Sequence, residues 1–504
     1  MDESKHGLRA VRTLLAATVL AALAACAVGP EYRRPDLPVP PEFASSAARI
    51  ARTAGDATPA VTPVASVAPL PEVDEPFWRR FDDPLLDELV GTALRESQDL
   101  KSALARYDEA NALLRKARFD QLPVVTAGAS AADTRLSADQ SPGASRADRD
   151  FNRYSAQVNA GWELDVFGRV RRDVESQRAN VAANAADLAA VQVAIVGEVV
   201  RSYWELRGLQ QRLQVARNNA ENQRGTLRIV EVRLDAGRGT EFDTSRARAQ
   251  LEATLARIPA FAAAVDVTMH RIAVLTGQMP SAMVSRLDAG VGALPILPGA
   301  VDAGTPGDLL RRRPDVIAAE QRLHAATARI GVATADLFPR FTLGGLIGTQ
   351  ALESSALFSR DSETRLLALG VDWSFLDVGR VRARIAASDA AASGALADYE
   401  KTVLHALEDT ENALVRYGHA RLEDAHLERS ALESARAAEL ARVRFDAGAA
   451  DLLDVLDAER SQLQAQDAFA DGRTRSATAL VDLYRSLAGG WPQQMPDRER
   501  VSAR

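Results

Sequence analysis

Two stretches of this 504-residue chain are each written twice at one spacing. Trp162-Glu-Leu-Asp-Val-Phe-Gly-Arg-Val-Arg171 returns as Trp373-Ser-Phe-Leu-Asp-Val-Gly-Arg-Val-Arg382, and Val232-Arg-Leu-Asp-Ala-Gly237 returns as Val443-Arg-Phe-Asp-Ala-Gly448; both pairs lie 211 residues apart. A constant offset over about 75 residues gives the intervening segment one length in both copies, which a rigid element requires and a loop does not. Upstream, Leu122-Pro123 matches Phe338-Pro339 at an offset of 216, so a length difference of five residues sits between the proline and the tryptophan. That is the place for a hairpin loop, and the chain is expected to contain two copies of one strand-and-helix unit.

Beside each tryptophan the hydrophobic period is two. Tyr154, Ala156, Val158, Ala160 and Trp162 alternate with Ser155, Gln157, Asn159, Gly161 and Glu163; Leu367, Leu369, Val371, Trp373 and Phe375 alternate with Ala368, Gly370, Asp372 and Ser374. Each run predicts a strand with one oily and one wet face, with partner strands near 122–131 and 338–350, where the alternation is weaker. Strands of about ten residues that end in an aromatic suit a tilted bilayer crossing. The same alternation also suits a half-covered soluble sheet. In lipid, four strands cannot close a barrel and an open edge finds no hydrogen-bond partners, so several chains would have to combine. Two chains would supply eight strands around a filled interior, and three would supply twelve around a lumen.

Proline is missing from Gly143 to Ile258 and from Arg340 to Trp491, as long uninterrupted helices require. From Gly168 to Gly237 such a helix would extend on the order of 100 Å. Val199, Leu206, Leu213, Ala220, Leu227 and Leu234 recur every seven residues on it, with Val196 and Tyr203 three before the first two, the pattern of a coiled-coil seam. Gly237 and Gly448 suit the left-handed conformation that ends a helix, so two helical hairpin tips are expected there.

The N-terminal segment reads as an export signal. Lys5, Arg9 and Arg12 precede an apolar run from Leu14 to Leu23, and Leu23-Ala-Ala-Cys26 closes it with small residues. This resembles a lipoprotein signal box, in which Cys26 becomes the acylated N-terminus; an ordinary signal peptide also ends in small residues. By the same resemblance, Ala27 after the cysteine favours sorting to the outer membrane. Cys26 is the only cysteine, which excludes an intrachain disulfide and a thiol-built metal site. Half of the 22 prolines lie between Pro30 and Pro84, in an extended leader. No other apolar run approaches the roughly 20 residues of a spanning helix, so any spanning falls to strands. With a net charge of -7 and both signs mixed along the chain, there is no basic patch for nucleic acid.

Three further stretches carry a resemblance to the outer-membrane factor family of tripartite efflux pumps, in its lipoprotein branch. They are Cys26-Ala-Val-Gly-Pro-Glu-Tyr-Arg-Arg-Pro35, Phe77-Trp-Arg-Arg-Phe-Asp-Asp-Pro-Leu-Leu-Asp-Glu-Leu89, and Leu310-Arg-Arg-Arg-Pro-Asp-Val316 with Ala328-Arg-Ile-Gly-Val-Ala-Thr-Ala-Asp-Leu-Phe-Pro-Arg340. The resemblance implies a mainly α fold with a membrane β-barrel: a homotrimer with a twelve-stranded outer-membrane barrel, four strands per chain, continued by an α-helical periplasmic tube. It implies docking of a periplasmic membrane-fusion adaptor and an inner-membrane resistance-nodulation-division transporter at the tips around Gly237 and Gly448. No cofactor is implied beyond lipid on Cys26.

The family's closed aperture is lined by tip carboxylates, and by resemblance Asp454 and Asp457 in Leu453-Asp-Val-Leu-Asp457 match them. Asp243 is the repeat partner of Asp454, again at 211. Thr240-Glu-Phe-Asp243 also reads as a capping box, and Asp454 near a helix start is favoured by the helix dipole. Asp457 lies a turn further in, on the face of Asp454. Three chains would bring these carboxylates around one axis and favour cations. Ala450 stands where some family members carry a tethering Arg, so their locking contacts do not transfer.

The expected divisions are a signal peptide at 1–25, the leader at 26–83, a first-repeat helical segment at 84–121, a β-hairpin at 122–167 and a long helical hairpin with an equatorial segment at 168–300. The second repeat follows as helices at 301–337, a β-hairpin at 338–377 and a helical hairpin at 378–490, with a tail at 491–504. No nucleophile motif, zinc spacing or phosphate loop is present, so no enzyme is expected. The leading function is a passive efflux duct in the outer membrane reaching into the periplasm. A type I protein-secretion outlet and a pore-free periplasmic coiled-coil scaffold lipoprotein are the alternatives.

Overall fold

The computed structural model describes residues 27–45, 67–68, 76–288, 294–298 and 300–488. The signal peptide, Cys26, much of the leader and the tail at 491–504 lie outside the described residues.

Helices α1 (Pro84–Glu96) and α2 (Gln98–Phe119) precede the strands β1 (Val124–Arg135) and β2 (Asp150–Leu164). Then come the 67-residue α3 (Arg169–Asp235), α4 (Glu241–Leu255) and α5 (Arg257–Leu275). The second copy has α6 (Pro306–Arg312), α7 (Pro314–Ala335), β3 (Arg340–Ala351), β4 (Glu363–Asp372), the 69-residue α8 (Val378–Asp446) and α9 (Leu452–Leu487). A minimal parallel pair joins Val67–Ala68 to Ala300–Val301.

The chain divides into two compact units. One comprises Arg106–Ala185, Ala318–Glu400 and the leader up to Asp36. Its centre is one antiparallel sheet in the order β1-β2-β3-β4, with β1 and β4 at open edges. Strand register turns the alternation into a surface. Val125, Ala160, Gly345 and Leu367 form one row across all four strands, flanked by Trp162, Leu343 and Leu369 and then by Leu164, Phe341 and Val371. The opposite face carries Thr126 beside Asn159, Gly128 beside Gln157 and Glu163 beside Thr342, and Ser130 and Ser155 share a hydrogen bond of 2.8 Å. Arg365 interrupts the oily side next to Ile347, and Leu346 beside Leu366 interrupts the other. Val125, Ile347, Leu367 and Leu369 are all exposed, which a lone soluble sheet avoids.

The repeat survives at atomic detail. The Trp162 indole N–H donates to the carbonyl of Gln121 at 3.0 Å, and the Trp373 indole N–H donates to that of Leu337 at 3.0 Å. The tryptophans are offset by 211 and their acceptors by 216, so the same contact straddles the variable hairpin in both copies. One expectation is corrected: β4 stops at Asp372, leaving Trp373 and Phe375 outside the strand. A turn closed by Asp377 N–H on Ser374 O starts α8 at Val378 and cuts the alternation short.

The leader packs closely on this unit. Val28 N–H donates to Phe167 O at 3.1 Å, and Gly29, at φ +93°, lies so near Gly331 that a Cβ would stand 2.4 Å from its Cα. Tyr32 stacks on His324 with ring centroids 4.4 Å apart.

The second unit comprises Leu37–Ala105, Ala186–Ile317 and the residues from Lys401 onward. Asp83 caps α1, accepting from Leu85 and Leu86 N–H at 3.0 and 3.1 Å, with Pro84 at the first helical position. Its other carboxylate oxygen accepts from the buried Tyr203 hydroxyl. Burial and that acceptor push Tyr203 up to about 12. Phe77 and Trp78 are buried, Phe77 against Tyr484 at 4.8 Å, and Phe81 meets Trp204 edge-on at 5.2 Å.

Val199, Leu206, Leu213 and Ala220 of the seam are buried, but Leu227 and Leu234 are only partly covered. Towards the tip the buried stripe of α3 moves to Gln223, Thr226 and Val230, because a straight helix drifts away from a seven-residue repeat. Polar rungs at the same seven-residue spacing lie one position before the seam and reach α9. Arg212 meets Asp467 at 2.7 Å and Asp471 at 2.8 Å, Asn219 meets Gln466 at 3.0 Å, and Thr226 donates to the buried Glu459 at 2.8 Å.

In the signature Leu310–Val316, Arg313 is buried and fully used. It donates to Ala406 O at 3.3 Å and Ser486 O at 3.2 Å, and pairs with Asp315 at 2.7 Å and Asp409 at 3.2 Å. Ser486 lies in the last turn of α9, so the guanidinium satisfies a carbonyl that the helix leaves open.

Two helical stretches, Arg169–Asp235 and Glu241–Leu275, are apolar enough in part to cross a membrane by length and composition alone. This corrects the expectation that no such segment exists. Both are alanine-rich windows rather than uninterrupted apolar runs, and most of the first is buried within the protein.

Candidate functional site at the helical hairpin tips

The two tips are built alike. After α3, Gly237 sits at φ +69° with its N–H on Leu234 O at 2.9 Å, and Arg238 N–H reaches back to Arg233 O at 2.8 Å. After α8, Gly448 sits at φ +74° with its N–H on Phe445 O at 3.0 Å, and Ala449 N–H reaches Arg444 O at 2.8 Å. Each is a Schellman ending, and each contact moves to the other by 211.

Beyond the glycines the acidic residues separate in role. Thr240 caps α4, and Asp243 Oδ2 accepts from both Thr240 N–H at 3.1 Å and the Thr240 hydroxyl at 2.7 Å, completing the capping box. Asp454 does the same for α9, accepting from Asp451 N–H at 3.4 Å. Asp457 has a partner the sequence reading overlooked: Arg460, one turn on, forms an ion pair with it. The pair is exposed, so it contributes little to stability. At the repeat position of Asp457, Arg246 instead lies over the Phe242 ring. Among the described residues no three acidic, histidine or cysteine side chains gather as a metal group would.

Other contacts fix the tips. Arg233 donates to Phe445 O at 3.0 Å with its guanidinium over the Phe445 ring, tying the end of α3 to that of α8. Glu459, almost wholly buried, accepts from Arg442 at 2.9 Å as well as from Thr226. Further from the tip, Asp467 takes Arg212 and Arg257, and both guanidiniums lie over Phe261. Burial works against ionisation of Asp467, but the two arginines hold its carboxyl below the usual range. The heptad-spaced Arg212, Asn219 and Thr226 were the sequence signal for this polar seam.

The family described as outer membrane efflux protein matches residues 89–278 and again 305–489. The chain belongs to that family. The two matches begin 216 residues apart and end 211 apart, the same two offsets that the internal repeat shows. Among relatives, outer membrane protein OprJ of Pseudomonas aeruginosa is 32% identical over 94% of this chain and 94% of its own. The pyoverdine export outer membrane protein OpmQ of Pseudomonas putida is 32% identical over 88% of this chain and 95% of its own. The solved outer-membrane channel OprN is 39% identical, with a TM-score of 0.82 over 93% of this chain and 100% of that one. The family's fold is therefore present over nearly the whole chain, as the resemblance of the leader and signature motifs implied.

Proposed function

We propose that this protein is the outer-membrane exit channel of a tripartite efflux system, passively exporting small molecules such as drugs. The observation that carries it is the sheet: four strands share one largely oily, exposed face, interrupted at Arg365, and end in two unpaired edges. Such a sheet is stable in lipid only when copies of the chain close it. Three copies give a twelve-stranded barrel with a lumen, and the long helices of the same copies supply the periplasmic tube. The names of OprJ, OpmQ and OprN favour an outer-membrane channel over a pore-free scaffold. The export named for OpmQ favours small cargo over the secretion of proteins.

The finer reading follows. Lipid on Cys26 anchors the chain, the tips around Gly237 and Gly448 meet a periplasmic adaptor, and a resistance-nodulation-division transporter of the inner membrane drives export. Asp243, Asp454 and Asp457 from three chains line the aperture. In one chain Asp243 and Asp454 also cap helices, so removing either loosens the tip as well as its charge. Asp457, held only by an exposed ion pair, is the residue of the three that separates charge from structure. Heat-modifiable trimers in the outer-membrane fraction would support the channel, and a monomer released into the periplasm by loss of the lipid would overturn it.

A further inference from the structure

Below the aromatic end of the oily face lies a cavity of about 570 Å³ walled by α3 and α7 and closed by Gln121, just beyond α2. Gln121 ties it to the sheet, since its backbone carbonyl accepts the Trp162 indole N–H at 3.0 Å. Phe119, the last residue of α2, and Leu122, next to Gln121 in the chain, are exposed. The wall has two characters. On the face that α3 turns to it, Val174, Ala179 and Ala182 are apolar and alternate with the cations Arg171 and Arg178. Glu175, the one carboxylate in the lining, is already committed to Arg172 at 2.8 Å and His324 at 3.0 Å. Burial opposes its ionisation, but these two partners hold its carboxyl below the usual range. Arg171 is committed locally, its guanidinium donating to the Asp165 carboxylate at 3.2 Å, to Asp165 O at 3.2 Å and to Val166 O at 3.4 Å, whereas Arg178 is exposed and has no ion-pair or hydrogen-bond partner among the described residues.

We propose that this cavity binds the headgroup of an acidic phospholipid, with Arg178 on the phosphate, Arg171 adding positive charge beside it, and the acyl chains rising past Trp162 along the oily face. A guanidinium fork matches a phosphate, aromatic residues mark the membrane boundary, and basic pockets there take acidic headgroups. Free phosphate would satisfy the cations but leave the apolar wall unused. A zwitterionic headgroup would set its ammonium against two arginines. The proposal rests on the sheet lying in the outer membrane. Failure of that placement shows as protein missing from the outer-membrane fraction, and failure of the lipid site shows as inserted protein that ignores the lipid.

The test is native mass spectrometry of the assembled protein in mild detergent, titrated with phosphatidylglycerol, phosphatidylethanolamine or inorganic phosphate. Phosphatidylglycerol should bind in preference to phosphatidylethanolamine and survive millimolar phosphate. Arg178→Gln should weaken it about tenfold, the loss expected of one charge-assisted contact, while Arg178→Lys keeps most of the binding. Ala182→Leu should weaken it by narrowing the apolar wall without touching a charge. Unchanged binding in Arg178→Gln, equal binding of phosphatidylethanolamine, or displacement by inorganic phosphate would each overturn the proposal. Arg178 is exposed, so its variants are expected to assemble normally, which their heat-modifiable mobility checks.

Discussion

Replacing Gly208 with alanine would drive a methyl group into the crossing of α3 and α9. The new Cβ would stand 1.9 Å from Thr474 Oγ1, 2.7 Å from its Cγ2 and 2.8 Å from its Cβ, where ordinary contacts begin near about 3.5 Å. Turning the threonine does not relieve this. Its hydroxyl already donates to Ala470 O at 2.7 Å, and rotation leaves the two Cβ atoms where they were. The helices must separate by on the order of 1 Å, at a cost of about 2–3 kcal/mol, stretching the Arg212 contacts to Asp467 and Asp471 one turn on. Thermal unfolding by circular dichroism at a fixed scan rate should show the single variant several degrees below the parent. Adding Thr474→Ala should recover only part of the loss, because it removes the Oγ1 and Cγ2 overlaps but leaves the two Cβ atoms 2.8 Å apart. Adding Thr474→Gly should recover more, even though a mid-helix glycine itself costs about 1 kcal/mol. A Gly208→Ala protein as stable as the parent, or equal rescue by both second changes, would refute the packing argument.

Arg313→Lys replaces a five-donor fork with a point charge and abandons Ala406 O and Ser486 O; a loss of about 3 kcal/mol is expected, read as a lower midpoint in chemical denaturation. Asp467→Asn should cost about 2 kcal/mol near neutral pH. Because the folded carboxyl titrates below its unfolded value, its contribution is full above about pH 4 and fades as the pH falls through the lowered value. The gap between parent and variant, measured against pH, should therefore close on acidification. Gly448→Ala meets nothing within 4 Å, so its cost of about 1 kcal/mol is backbone strain alone and should be smaller with Gly448→Asn.

The repeat offsets made much of the architecture legible, since identical lengths require the same rigid helix and the shift of five marks a loop. Period-two alternation located β2 and β4 because one face of each is apolar, and β1 and β3 less well because alanine and glycine blur the contrast. Trp373 and Phe375 kept the period but left the strand, since a local turn starts α8 and a pattern of side chains does not report backbone hydrogen bonds. Helix partners were not legible. The seam of α3 needed α9, more than 200 residues away in sequence, to show which polar rungs pair with it. At the tips, the capping role of Asp243 could be read from Thr240 three residues before, while Arg460 was overlooked although it lies three residues after Asp457. The stacking of Tyr32 on His324 joins segments that no local pattern connects.

The central claim, a trimeric outer-membrane duct with an acidic aperture, is tested most directly by single-channel recording in planar bilayers. The purified assembled protein should give cation-preferring currents, and Asp454→Ala with Asp457→Ala should raise the conductance or weaken the cation preference. Asp457→Ala alone should move the selectivity in the same direction without lowering thermal stability. Inserted trimers that pass no current would contradict the channel, and traces unchanged by these substitutions would contradict the aperture.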